Sequence, residues 1–263
     1  MILATILDAI IDWIRGDRVI HRTNSMFGPV RVVERDWDDG RIRVLEVAGT
    51  YQSATYTDDR WCEPPFAYLR AFSCVFRGTR PARSILMLGG GGFAFPRHVI
   101  RDHPEATIEV AEIDPAIIEL AHTHFFLDRL EDEYQAESSG RLRISCTDAL
   151  VTLVRAHDAG RTYDAIINDV FQAESTPAGL SGESAARLVA SLLAPGGLYV
   201  VNMVASLSGD QSWKVAGLVE TLGNAFDHVA ALTLGHDPDE EGNLLVVASD
   251  AEIALDGAIP LIG

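Results

Sequence analysis

From Ser84 to the C-terminus, short apolar runs alternate with stretches whose apolar residues recur every three or four positions, the mark of strands interleaved with helices. Ile85-Leu86-Met87-Leu88 predicts a buried strand running into four glycines, with a helix from about Phe95 to Asp102. Thr107 to Ile113 and Arg141 to Cys146 predict strands two and three, followed by helices over Pro115 to His124 and Ala149 to His157. A fourth strand, Tyr163 to Asn168, leads through a loop to a helix over Gly182 to Leu193. Pro195-Gly196-Gly197 then opens a strand over Leu198 to Met203. A helix over Ser212 to Phe226 and strands near His228 to Leu234 and Leu244 to Ser249 complete the chain. This rhythm predicts an α/β, Rossmann-like fold, a mostly parallel doubly wound sheet with helices on both faces.

The pattern before Ser84 is different. Gly28 to Glu34, Arg41 to Val47 and Thr50 to Thr57 read as strands of a small antiparallel sheet, with a turn at Asp36 to Gly40. Phe66, Leu69, Phe72 and Phe76 place a helix over Pro65 to Phe76. Ile2, Leu3, Ile6, Leu7, Ile10, Trp13 and Ile14 recur at helical spacing, an amphipathic docking helix. Asp8 and Asp12 interrupt that stretch, so it does not read as a signal peptide. The expected division is residues 1–80, a helix plus a small β domain, and residues 81–263, a nucleoside-binding domain.

Composition narrows the function classes. The formal charge of −17 argues against nucleic acid as partner, because phosphate contacts need a basic surface. The same field would attract a cationic small molecule, although a merely solubilising surface is the plainer reading. Glu131, Asp132, Glu133 and Glu137 read as a solvated acidic loop, and Asp237, Asp239, Glu240 and Glu241 as a solvated turn. No apolar run is long enough to span a bilayer. Cys62, Cys74 and Cys146 are too scattered for a disulfide framework or zinc site, which fits a reducing cytoplasm. His122 and His124 do not share a helical face, so no metal is expected.

Candidate chemistry gathers at strand ends. Gly89, Gly90, Gly91 and Gly92 stand between a strand and a helix, where a backbone without Cβ atoms approaches a ligand closely. Glu112 ends the next strand about twenty residues on, where doubly wound folds place a carboxylate on ribose hydroxyls. Asp148, after the third strand, is placed either to accept from an adenine amino group or to cap the following helix. Gly89, Gly91 and Ala94 also fit a loose G-x-G-x-x-A, so a dinucleotide such as NAD is the minority alternative. Phe93, Phe95 and Phe171 either line the pocket or pack the core.

In order along the chain, Tyr51-Gln52-Ser53, Phe66-Ala67-Tyr68, Leu86 to Gly91 and Glu112-Ile113-Asp114 resemble the spermidine synthase-like (polyamine aminopropyltransferase-like) family. Thr147-Asp148-Ala149, Tyr163 to Asp169 and Leu193 to Val201 extend the resemblance. It implies a β domain on a class I methyltransferase fold, commonly a dimer, with decarboxylated S-adenosylmethionine as aminopropyl donor to a polyamine. By position, Gln52, Glu112, Ile113, Asp148 and Ala149 join the glycines as donor contacts. Asp169 corresponds to the carboxylate at the reaction centre, Tyr68 and Gln172 to substrate contacts, and Val170 to Leu180 to the gate.

The departures bear on the reaction. Gly92 stands where the family usually has aspartate, Gln172 replaces a second aspartate, and Leu69 and Arg70 follow the pocket tyrosine. Each change removes a group that would handle a cationic amine. The expectation is therefore a transferase using a sulfonium nucleoside to alkylate an amine, with Asp169 as base. An S-adenosylmethionine-dependent methyltransferase and a catalytically inactive nucleoside-binding relative remain the alternatives.

Overall fold

The computed structural model describes residues 16–77, 80–170, 179–209, 212–235 and 237–263; the expected N-terminal helix lies outside them. Strands β1 (Arg18–Ser25), β2 (Gly28–Trp37), β3 (Gly40–Val47) and β4 (Thr50–Tyr56) form an antiparallel meander in chain order. Strand β1 is absent from the sequence expectation. Its burial pattern contains no fully buried position, so as an edge strand it shows little of the apolar alternation that marks strands. The expected helix over Pro65 to Phe76 is shorter: α1 (Ala67–Ala71) tightens into a 3-10 turn over Phe72–Phe76.

The second sheet has eight strands. Strands β5 (Ser84–Leu88), β6 (Thr107–Glu112), β7 (Leu142–Cys146), β8 (Tyr163–Asn168) and β9 (Leu193–Ala205) form its parallel part. Strands β10 (His228–Thr233), β11 (Gly242–Ser249) and β12 (Ile259–Ile262) add antiparallel pairs, and the order is β12-β10-β11-β9-β8-β5-β6-β7. The helices are α2 (Ala94–Asp102), α3 (Pro115–His124), α4 (Leu127–Tyr134), α5 (Ala149–Asp158), α6 (Glu183–Leu192) and α7 (Ser212–Gly223).

Strand β5 explains why the sheet is covered on both faces. Ile85 and Met87 enter one hydrophobic cluster, while Leu86 and Leu88 enter another on the opposite side. Strand β8 repeats the split, with Ala165 and Ile167 in the first cluster and Ile166 in the second. With period-two side chains and both faces apolar, these strands are stable only between two helical layers.

Two elements differ from the sequence expectation for physical reasons. The acidic stretch at Glu131 to Glu133 is helical, part of α4, because Leu127 and Leu130 bury its inner face while Asp132 and Glu133 remain exposed. Strand β12 carries Pro260 and lies at the sheet edge, where proline is tolerated.

The small sheet is fixed against the large one above the carboxyl ends of β5 and β6. Val30, Val32, Leu45 and Val47 pack with Ile117 and Leu120 of α3 and with Phe125. Asp114, only 1% exposed, joins the two halves: Oδ1 accepts from Ala116 N at 2.9 Å and Oδ2 from Met26 N at 2.7 Å. One carboxylate thus caps α3 and holds the β1–β2 turn. Asp114→Ala should lower stability by about 2 kcal/mol in urea unfolding, the cost of a lost cap and a lost charged hydrogen bond. A loss below about 0.5 kcal/mol, the range of surface substitutions, would show that the joint is not used.

Candidate active site

Strand β5 continues to β6 on one side and pairs with β8 on the other, so the chain order reverses between β5 and β8. A crevice opens at such a point beyond the carboxyl ends of the strands, the usual place for ligands in this architecture. The glycine run leaves β5 there. Gly89 has φ +89°, and a Cβ on it would lie 2.6 Å from the carbonyl oxygen of Asp169. Gly91 also has positive φ, at +49°. The run is thus required twice over, by backbone conformation and by the closeness of the strand ends.

Glu112, at the end of β6, is 8% exposed and faces the same loop. Its Oε2 accepts from Gly90 N at 2.9 Å and Gly91 N at 3.1 Å, and its Oε1 from Asp114 N at 3.0 Å. A carboxylate has about four acceptor positions, so these bonds occupy most of them. Its first task is to hold the glycine loop, a role beyond the ribose contact expected from sequence. Asp148 caps α5, Oδ1 accepting from Val151 N at 3.1 Å, and it is exposed at the crevice side of that helix. Ile113 is half-buried, and Ala149 is buried as the first residue of α5.

Asp169 follows β8, its backbone N–H donating to Leu88 O at 2.9 Å. Its Oδ1 accepts from Asn202 Nδ2 at 2.9 Å, and Asn202 Oδ1 accepts from Asn243 Nδ2 at 3.1 Å. Burial, reinforced by the charge of Glu112, pushes the Asp169 carboxyl up from 3.8 to about 7, while the Asn202 hydrogen bond opposes the rise. Tyr68 of α1 donates its hydroxyl to Gln52 O on β4 at 2.9 Å. Burial, with the neighbouring charge of Asp169, holds that phenol well above its ordinary value, so it remains a hydrogen-bond donor. The structure therefore brings Gln52, Tyr68, Gly89, Gly90, Gly91, Glu112 and Asp169 into one region. Gln172 and Phe171, with most of the expected gate, lie outside the described residues.

Asn202 and Asn243 were not among the residues singled out from sequence. Their signal is an amide inside otherwise apolar runs, Val200-Val201-Asn202-Met203 and Asn243-Leu244-Leu245. Phe93 and Phe95 are each 0% exposed and belong to the core cluster, so of the two readings open for them, packing is the one found. Gly92 is buried against β4: a Cβ there would meet Ser53 Oγ at 2.9 Å and the Phe125 ring at 3.1 Å. The space for a larger residue at position 92 is already taken.

A spermine/spermidine synthase domain profile matches residues 66–214. The polyamine aminopropyltransferase of Vibrio vulnificus is 26% identical over 185 residues, covering 70% of this chain and 58% of its own. That of Corynebacterium efficiens is 30% identical over 210 residues, covering 79% of this chain and 37% of its own. The chain thus spans between 37% and 58% of the length of these relatives. Among solved structures, a probable spermidine synthase from Corynebacterium glutamicum shares the fold, with a TM-score of 0.70 at 22% identity over 89% of this chain and 81% of that one. A shorter stretch of 128 residues is 31% identical to the eEF1A lysine and N-terminal methyltransferase of Danio rerio, covering 46% of this chain and 17% of that one.

Gly89 and Gly140 separate the two demands on the glycine loop. Gly140 has φ +77° but open space around it, so Gly140→Ala should cost only the conformational strain, about 1 kcal/mol. Gly89→Ala adds the collision with the Asp169 carbonyl and should cost at least about 1 kcal/mol more by urea unfolding. Equal losses for the two variants would contradict the close approach.

Proposed function

The chain belongs to the spermine/spermidine synthase family, and on that premise we propose that it alkylates an amine using a sulfonium nucleoside as donor. A bound donor supplies an electrophilic carbon next to a positively charged sulfur, and a neutral thioether as leaving group. The Gly89–Gly91 backbone, Glu112, Ile113, Asp148, Ala149 and Gln52 hold and orient it, with Glu112 on the ribose and Asp148 on the adenine. Fixing donor and acceptor in line removes the entropic part of the barrier. Tyr68 and Gln172 contact the acceptor.

The observation that carries this reading is Asp169, a carboxylate whose pKa near 7 suits it to take the proton of an attacking amine. Asn202 is a positioning residue: its amide N–H holds Oδ1 and favours the ionised form. Asn243 in turn holds the Asn202 carbonyl, which leaves the Asn202 amide group turned toward Asp169.

Aminopropyl transfer from decarboxylated S-adenosylmethionine is the first reading, with a polyamine-like acceptor suited to the acidic surface. Gly92 favours a second. A carboxylate at that position would pair with the ammonium of the decarboxylated donor and repel the carboxylate of intact S-adenosylmethionine, and here Ser53 and Phe125 fill its place. Methyl transfer from the intact donor is the second reading, and the similarity to a methyltransferase supports it. Calorimetry with both donors separates them. Tighter binding of intact S-adenosylmethionine by tenfold or more would rule out the aminopropyl reading.

Two outcomes follow for Asp169. As a base it must be ionised, so kcat/KM should rise with pH to a plateau above about 7. Asn202→Leu removes the bond that favours the carboxylate and should move this limb to higher pH with the plateau still reached; an unmoved limb would remove Asp169 as the titrating base. Asp169→Asn should abolish detectable turnover. The stability effect has the opposite sign. Folding raises the Asp169 pKa, so the folded chain holds more protons between pH about 4 and 7 and loses stability as pH rises through that window. Asp169→Asn should therefore unfold at a higher temperature than wild type above pH about 7. A variant less stable there would show that the carboxylate is not under desolvation strain.

A further inference from the structure

A second cluster of reactive groups lies on the far end of α1 and its 3-10 turn, away from the nucleoside crevice. Ser73 Oγ is 3.1 Å from His98 Nε2, and His98 Nδ1 is 2.7 Å from Asp102 Oδ2. Serine and imidazole thus form the pair that activates a hydroxyl as nucleophile, with the Asp102 carboxylate in close contact with the ring but not hydrogen-bonded to it. The cluster opens into a cleft of about 900 Å³ whose lining includes Ser73, His98, Trp37, Tyr56, Phe76 and Arg77. None of Gly89 to Gly92, Glu112 or Asp169 lines that cleft.

The surroundings set the protonation that such a cluster needs. Burial keeps His98 below its ordinary pKa, so the ring is neutral at neutral pH. In the tautomer protonated at Nδ1, the nitrogen beside Asp102, Nε2 is the lone-pair nitrogen facing the Ser73 hydroxyl. Arg101 donates to both oxygens of Asp102, at 2.7 and 2.8 Å, and holds it as an anion. The His98–Asp102 contact is close but off the ring N–H axis. Contacts of this kind commonly tighten only when a substrate is bound. His103 stacks on Phe76 at 3.5 Å between ring centres and meets His98 edge-on, which limits rotation of the imidazole.

We propose that Ser73 is an activated nucleophile and that this cleft hydrolyses small carboxylic esters with an aromatic or short apolar acyl group. Ser73 Oγ attacks the ester carbonyl carbon while its proton passes to His98 Nε2. The tetrahedral intermediate collapses with cleavage of the ester C–O bond. The leaving alkoxide takes the proton from His98, and the acyl group stays on Ser73. Water then attacks the acyl carbon, giving its proton to His98, and the acid departs as Ser73 recovers its hydroxyl. Arg77, four residues beyond Ser73, lines the same cleft together with Arg70 and the carboxylates Asp38, Asp39 and Glu63. Trp37, Tyr56 and Phe76 supply the apolar wall for the acyl group.

The test uses the full chain with a fluorophosphonate probe and p-nitrophenyl butyrate. The expected result is a covalent adduct that peptide mass mapping places on Ser73. Ester turnover should fall at least about 100-fold in Ser73→Ala and in His98→Gln, with thermal unfolding unchanged. An unlabelled Ser73, turnover that survives in Ser73→Ala, or labelling in His98→Gln equal to wild type would each overturn the proposal. Should either variant fail to fold, the site of the adduct on the unaltered chain decides alone.

Discussion

The approach of Gly89 to the Asp169 carbonyl at the β5/β8 junction is the constraint on which the site depends. It places the end of one strand against the end of its neighbour with no room for a side chain between them. The glycine loop and the acid are therefore set by one backbone contact, and neither can shift without the other. Glu112 secures the loop from the opposite side through two of its N–H groups. The glycine loop and the Asp169 carboxylate are positioned together because the sheet positions both.

A second constraint ties together the segments around the glycine loop. Arg97 is 0% exposed and donates to Trp61 O, Gly92 O and Phe125 O, three carbonyls from separate segments. Burial lowers its pKa to about 10, so the guanidinium still carries its charge at neutral pH, balanced by carbonyl dipoles. The neighbouring Gly92 is enclosed by Ser53 and Phe125. Position 92 is thus part of how β4 packs on the loop, which leaves little space for a larger side chain there.

Much of this was legible in the sequence where one physical cause acted alone. The apolar run Ile85 to Leu88, the glycines after it and Glu112 at the next strand end were all placed by the alternating pattern, although the glycines also fitted a dinucleotide motif. Elements at edges were harder. Strand β1 alternates weakly because it packs on one side only, and α4 was obscured because its charged face outnumbers Leu127 and Leu130. The polar support of Asp169 was illegible for another reason: Asn202 and Asn243 lie far apart in sequence and meet only because β9 and β11 pair antiparallel. The same holds for Ser73 and His98, which belong to different helical segments and gain meaning only by contact.

The account rests on a nucleoside seated over Gly89 to Gly91 with its sulfur facing Asp169. A crystal structure with S-adenosylhomocysteine, the product of the intact donor, tests this most directly. The ribose hydroxyls should lie on Glu112, the adenine beside Asp148 and the thioether toward Asp169. A nucleoside bound in the cleft beside Ser73, or over the glycines with its sulfur turned away from Asp169, would contradict it.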